Sequence, residues 1–157
     1  MPTIATATRV DREQLLDFVR TRHHLTLVTL RRDGRPQVSP VTGGVDGQGR
    51  IVVSTYPDRA KAVNLRRNPA ATVLVHSDAW SGPYVQVDGV AEVLDMPAPG
   101  TEDALVEYFR CIAGEHPDWD EYRVAMRRQG KSLIRVTIDG WGPVATGGFP
   151  PDRAPEG

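Results

Sequence analysis

The run Ser54-Thr55-Tyr56-Pro57-Asp58-Arg59-Ala60-Lys61-Ala62-Val63-Asn64-Leu65-Arg66-Arg67-Asn68-Pro69 concentrates the chemistry available to this chain. Four basic residues, Arg59, Lys61, Arg66 and Arg67, fall within nine positions, directly after a β-rich run and across a short helical segment. The unpaired N–H groups of a helix's first turn and the positive end of its dipole favour an anion. Arginine adds a planar fork suited to phosphate, and lysine a mobile point charge. On a helix Arg59 and Arg66 share a face while Lys61 lies almost opposite. One compact anion therefore need not touch all four, whereas a ligand with several negative groups can. On residue types alone, the same segment reads as well as a solvated basic helix edge.

The rest of the chain offers no competing chemistry. The formal net charge over 157 residues is −1, so any anion binding is local, and no general affinity for nucleic acid is expected. Cys111 is the single cysteine, which excludes an internal disulfide and a cysteine zinc site; its place in a helical apolar pattern predicts plain packing. The four histidines, His23, His24, His76 and His116, include no pair at the i, i+4 spacing of a metal site, so no metal is expected. Glu115, His116, Asp118 and Asp120 read as a helix cap and a solvated face. There is no G-x-S-x-G elbow, no P-loop and no G-x-G-x-x-G. With no acid, base or nucleophile constellation, an enzyme built on this chain must rely on a cofactor for its chemistry. No run approaches the ~18 apolar residues of a spanning helix, and the first residues do not resemble a secretory signal. A cytoplasmic protein without membrane partners is expected.

The elements that position these residues follow from periodicity and turn chemistry. Residues 11–22 predict an amphipathic helix capped by Asp11, with Gln14 completing a capping box. HLTLVTLRR, Asp33-Gly34 and RPQVSPV predict a hairpin; Asp46-Gly47 is a second turn signal, and RIVVSTY a third strand of an antiparallel meander. Asp58 is expected to cap RAKAVNLRRN, which Pro69 ends. ATVLVHS and YVQVDGVAEVL predict a fourth and fifth strand, with a bulge at Asp88-Gly89. Residues 101–113 and 117–129 predict two helices, the second with Pro117 at an early position, and SLIRVTI a sixth strand. Gly43-Gly44 and Gly147-Gly148 read as loop glycines. Hairpin links with one crossover helix argue against a doubly wound parallel sheet. They predict a mainly β (α+β) fold: a closed or nearly closed six-stranded antiparallel barrel with flanking helices, which leaves few exposed edges. Residues 1–146 are expected to form one domain and 147–157 a mobile tail.

Three stretches, LTLVTLRRDGRPQVSPV, VVSTYPDRAKAVNLRRNPAATVLV and YVQVDGVAEVL, in this order and spacing, resemble the split β-barrel flavin-binding superfamily that includes pyridoxamine 5′-phosphate oxidase. EYFRCIAGEHPDWDEYRVAMRRQGKSLIRVTI extends the resemblance, more narrowly, to its actinobacterial deazaflavin-dependent branch, and it covers most of residues 10–140. The resemblance implies a homodimer with two cofactor sites between subunits. It matches Arg59 and Lys61 to the phosphate pair and Gln37, Ser39, Pro40 and Val41 to contacts near the ring system. Ser54 and Thr55 match the cofactor-lining edge, and Trp80 and Tyr84 match residues that approach the ring from the partner subunit.

These implications give three alternatives. In the first, an oxidoreductase uses coenzyme F-420 and passes a hydride from C5 of the reduced deazaflavin to an unsaturated organic substrate. Arg66 and Arg67 would meet its polyglutamate tail, and Tyr84 or solvent would supply the product proton. In the second, FMN replaces F-420 in a pyridoxamine-phosphate-oxidase-like flavin reductase, which needs only the phosphate pair. In the third, the protein carries F-420 without turnover.

Overall fold

A computed structural model describes residues 3–156. The first helix, α1 (Arg12–Arg20), begins on the expected capping box: Asp11 Oδ1 accepts from the Gln14 amide and Gln14 Oε1 from the Asp11 amide, both at 2.9 Å. Its Leu15, Leu16 and Val19 are buried in the main core.

Strands β2 (His24–Leu30) and β3 (Pro36–Val45) form the predicted hairpin. Gly34 takes the positive φ of its turn (85°), and Asp33 Oδ1 accepts from the Arg35 amide. The next turn differs from expectation. Gly49, not Gly47, adopts the left-handed conformation (φ 76°). Asp46 is buried and accepts from the amides of Gln48 and Arg50 and from Arg50 Nε, so its side chain builds the turn that leads into β4 (Ile51–Thr55).

Helix α2 (Ala60–Arg67) corrects the second cap. Arg59, in extended conformation, is the N-cap residue and no side chain caps the helix, so Asp58 does not take that role. Strand β5 (Ala70–Val75) pairs with β6 (Val85–Asp95), whose register shifts at Asp88/Gly89, where the bulge was expected. Helices α3 (Thr101–Ala113) and α4 (Trp119–Gln129) follow; Asp118 caps α4 through the Glu121 amide, which leaves Pro117 before the helix rather than in its first turn. Strand β7 (Ser132–Trp141) completes a closed, wholly antiparallel barrel in the order β2-β3-β4-β7-β6-β5. The mainly β split-barrel architecture is therefore as expected, with six strands in the barrel.

Two short strands lie outside it. β1 (Thr6–Thr8) pairs with β8 (Val144–Thr146), and Phe149 exchanges backbone hydrogen bonds with Thr3 and Ala5. Each three-residue strand lacks the apolar alternation by which sequence reading finds strands.

Apolar side chains from all six barrel strands meet α1 in the barrel interior. A second cluster packs α3 and α4 against Val52 and Leu133 on the outer face of β4 and β7. Gly43 and Gly44 are not in a loop. They lie in β3 where it passes under α3, and a Cβ on Gly44 would come within 2.9 Å of Cys111 Cβ. Cys111 packs in this layer as expected, and burial, with the carboxylates of Glu107 and Asp46, pushes its thiol up.

Candidate functional site

β3 is the strand on which the barrel splits. From Pro36 to Thr42 it pairs with β2, but it meets β4 only over Gly43–Val45. The outer backbone edge of Pro36–Thr42 thus lacks a neighbouring strand. Alternation then sorts the predicted ring contacts onto two faces. Gln37, Ser39 and Val41 pair with the buried residues Thr29, Leu27 and Leu25 and face the interior, whereas Pro40 pairs with Thr26 on the outer face.

Of the inward residues, Gln37 belongs to a polar relay that locks α2 to the hairpin. Asn64, buried, donates to Thr29 Oγ1 (3.1 Å), and Thr29 donates to Gln37 Oε1 (3.1 Å). Arg67 Nη2 donates to Asn64 Oδ1 and to the Leu30 carbonyl. Ser39 Oγ is buried without a hydrogen-bond partner, an unmet polar atom beside the split.

β4 ends with Ser54 and Thr55 beside Leu133 and Ser132 of β7, and four residues further on the chain enters α2. Without a cap, the first-turn N–H groups of α2 remain open to an anion. Arg59 and Lys61 sit at that end. Burial, with the like charge of Arg59, holds the Lys61 ammonium below the usual lysine value. A third cation joins them. Lys131 Nζ lies 4.2 Å from the centroid of the Tyr56 ring and the Arg59 guanidinium carbon 5.8 Å from it. Among the described residues Arg59, Lys61 and Lys131 have no carboxylate at ion-pair distance. Sequence reading missed Lys131 because it depends on β7 pairing with β4 across the barrel.

Arg66 and Arg67 differ from that group. Arg66 donates to the Pro57 carbonyl (2.8 Å) and ion-pairs with Asp95 (2.7 Å), while Arg67 serves the relay. Each uses two of its five N–H donors, and both stay exposed.

A cavity of about 1040 Å³ opens on the outer face of β2, β3 and β5. It gathers Pro40, Val41, Trp80 and Tyr84 with Leu74, Thr26, His24, His76 and Asp78, and the 147–148 glycines line one side. Trp80 is 95% exposed and Tyr84 40%. The split edge, the cavity and the cation group therefore hold different parts of the predicted set: Gln37, Ser39, Ser54, Thr55, Arg59, Lys61, Arg66 and Arg67 do not line this cavity.

Among the described residues no group of three metal-ligating side chains converges, and no helix is long and apolar enough to cross a membrane.

A family profile described as pyridoxamine 5′-phosphate oxidase matches residues 11–145. Among solved structures, the chain is similar to a conserved hypothetical protein from Mycobacterium tuberculosis (24% identity, 90% of this chain and 89% of that one, TM-score 0.70). It is also similar to an F-420 reductase (22% identity, 80% and 93%, TM-score 0.57). A heme-binding protein from Mycobacterium smegmatis shares the fold at 20% identity (85% of this chain, 54% of that one, TM-score 0.61). At these identities the solved structures establish the shared barrel.

Proposed function

The chain belongs to the pyridoxamine 5′-phosphate oxidase family, a family of flavin-type oxidoreductases, and from that premise we propose that it is an F-420-dependent reductase acting on an unsaturated organic substrate. One observation carries the reading: Arg59 and Lys131 flank the Tyr56 ring and Lys61 lies beside Arg59 at an uncapped helix start, with no carboxylate among the described residues at ion-pair distance. Like charges gathered without a counter-ion are costly, and a bound phosphate relieves that cost.

The residues present fit such a group. The cations suit the phosphate, and the apolar cavity beside Pro40, Val41, Trp80 and Tyr84 suits a planar ring. The open edge of β3 offers backbone donors and acceptors to a heterocycle. Bound there, the reduced deazaflavin supplies the hydride. The protein holds and orients it, excludes water with apolar walls, and sets its approach to the substrate. In this reading Tyr84, which lines the cavity and is 40% exposed, or solvent returns the proton. The F-420 reductase among the structural neighbours supports the deazaflavin. The free donors of Arg66 and Arg67 are available to its polyglutamate tail.

A second copy of the chain forms the homodimer in this proposal. Trp80, Tyr84 and the outward Val38 (56% exposed) offer it an apolar surface.

The internal engagement of Arg66 favours a second reading, FMN, whose single phosphate needs only the Arg59 and Lys61 pair. Titration of the purified chain with F-420 and with FMN, followed by tryptophan fluorescence, separates the two. Binding of FMN with none of F-420 overturns the first reading. Binding of F-420 without oxidation of its reduced form, across a panel of enones and quinones, makes the protein a carrier. Size-exclusion mass near twice the monomer value is expected.

A further inference from the structure

We propose that His76 is the polar anchor of the cavity, donating an N–H hydrogen bond to a carbonyl oxygen of a planar, conjugated ligand held against Trp80. The proposal rests on the reading of the cavity as part of a flavin-type site. His76 follows β5, and its amide donates to the His24 carbonyl at 3.0 Å, which fixes the residue at the cavity wall. Its Nε2 lies 2.8 Å from Thr26 Oγ1 on the neighbouring strand. With the hydroxyl donating, the neutral ring carries its proton on Nδ1, and a charged ring carries one there too. In that arrangement Nδ1, which has no hydrogen-bond partner among the described residues, is the donor left for a ligand.

The aromatic geometry names the ligand's shape. His76 and Trp80 lie within 15° of parallel with centroids 6.5 Å apart. Carbon atoms in contact sit at about 3.5–4.0 Å. The two rings are therefore separated by nearly one ring thickness, or slid by about 5 Å at contact spacing. Trp80 is almost fully exposed, and in the slid arrangement a flat π system laid on its face lies level with the imidazole, in the plane where the ring N–H donates. The charge balance names the polar group. Asp78 is the one carboxylate lining the cavity, and it stands 3.5 Å from His24 Nδ1. No lysine or arginine lines the cavity, so a neutral carbonyl fits it better than a carboxylate.

That carbonyl has two sources, the ring of the cofactor or the substrate. The test uses the full chain with F-420 and, separately, 1,4-naphthoquinone as probes, and compares wild type with His76→Ala, His76→Gln and Thr26→Val. His76→Ala is expected to weaken one probe about five- to ten-fold. His76→Gln, which keeps an N–H, recovers part of the loss, and Thr26→Val weakens the same probe. A loss for F-420 assigns the anchor to the cofactor ring, and a loss for naphthoquinone alone assigns it to the substrate. Wild-type affinity for both probes in His76→Ala, with the far-ultraviolet spectrum unchanged, overturns the proposal, as does no binding of either probe to wild type. Arg59→Ala with Lys61→Ala serves as the separate control. If that variant keeps F-420 affinity, the cofactor assignment falls while the naphthoquinone result still judges His76.

Discussion

Arg66 is tied to Asp95: its Nη2 lies 2.7 Å from Asp95 Oδ1, the oxygen that also accepts from Ser132 Oγ at 2.5 Å. The contact joins the end of α2 to the point where β6 and β7 pair at Asp95 and Ser132. Burial works against ionisation of Asp95, but the Ser132 hydroxyl and the Arg66 guanidinium outweigh it and hold the carboxyl below the usual carboxylate range. A residue expected from sequence to meet a ligand thus also braces the fold.

The sign of that shift fixes a pH dependence. A carboxyl with a depressed folded-state pKa contributes stability in full above its unfolded value, and loses it as pH falls through the folded one. Asp95→Asn is expected to cost about 1 kcal/mol at neutral pH, a modest figure because the pair is more than a third exposed. The difference from wild type should vanish below the ordinary carboxylate range. Urea denaturation at a series of pH values checks it; a gap that persists undiminished into acid would show that Asp95 acts by shape alone.

Lys61 gives the opposite sign. Its ammonium is held below the usual lysine value by burial and by Arg59, so its charge is lost earlier as pH rises. Binding of inorganic phosphate should weaken over the range between neutrality and the ordinary lysine value, where an unperturbed lysine stays charged. Lys61→Arg should flatten that decline, since guanidinium does not titrate there. Calorimetric titration at both ends of the range reads the difference. An unchanged slope in the variant would remove Lys61 from the anion site.

What the sequence revealed was short-range. The capping box of Asp11 and Gln14, the Asp33-Gly34 turn and the bulge at Asp88-Gly89 each depend on residues within a few positions, so local chemistry announces them. The barrel followed from strand count and tight links. The misread positions had different causes. Asp46 folds its own carboxylate into the turn and shifts the left-handed residue to Gly49, a local choice between two glycines, whereas the Gly43-Gly44 pair looks like a loop until the distant α3 is laid across it. For the candidate site, the place of Arg59 and Lys61 at a helix start was readable from local sequence, while their phosphate role rests on the resemblance. Lys131 beside Tyr56, His76 on Thr26 and Arg66 on Asp95 are joined only by barrel closure, and no local spacing encodes them.

Trp80 tests the cavity without disturbing the core. At 95% exposure it contributes almost nothing to packing, so Trp80→Ala should change stability by no more than about 0.5 kcal/mol. If a planar ring lies against it, cofactor affinity should fall by about 1–2 kcal/mol with the lost stacking surface. Equilibrium titration alongside thermal unfolding separates the two quantities. Unchanged affinity would place the ring elsewhere on the split edge.

The bulge at Asp88/Gly89 tests how the long strands β6 and β7 are made to fit. A Cβ on Gly89 would run into the Thr137 carbonyl oxygen and come within 2.7 Å of Val136 Cγ1. The first of these is backbone held in the sheet and cannot swing aside. Gly140, opposite Asp88 across the same irregularity, has no heavy atom within 4 Å of the point a Cβ would occupy. Neither glycine has a positive φ, so strain in the backbone does not separate them. Gly89→Ala is therefore expected to destabilise by about 1–3 kcal/mol through overpacking, and Gly140→Ala by no more than about 0.5 kcal/mol. Chemical denaturation of the two variants side by side decides it. Equal costs would mean that the bulge relaxes to admit a methyl group, and that Gly89 is there for some reason other than close approach.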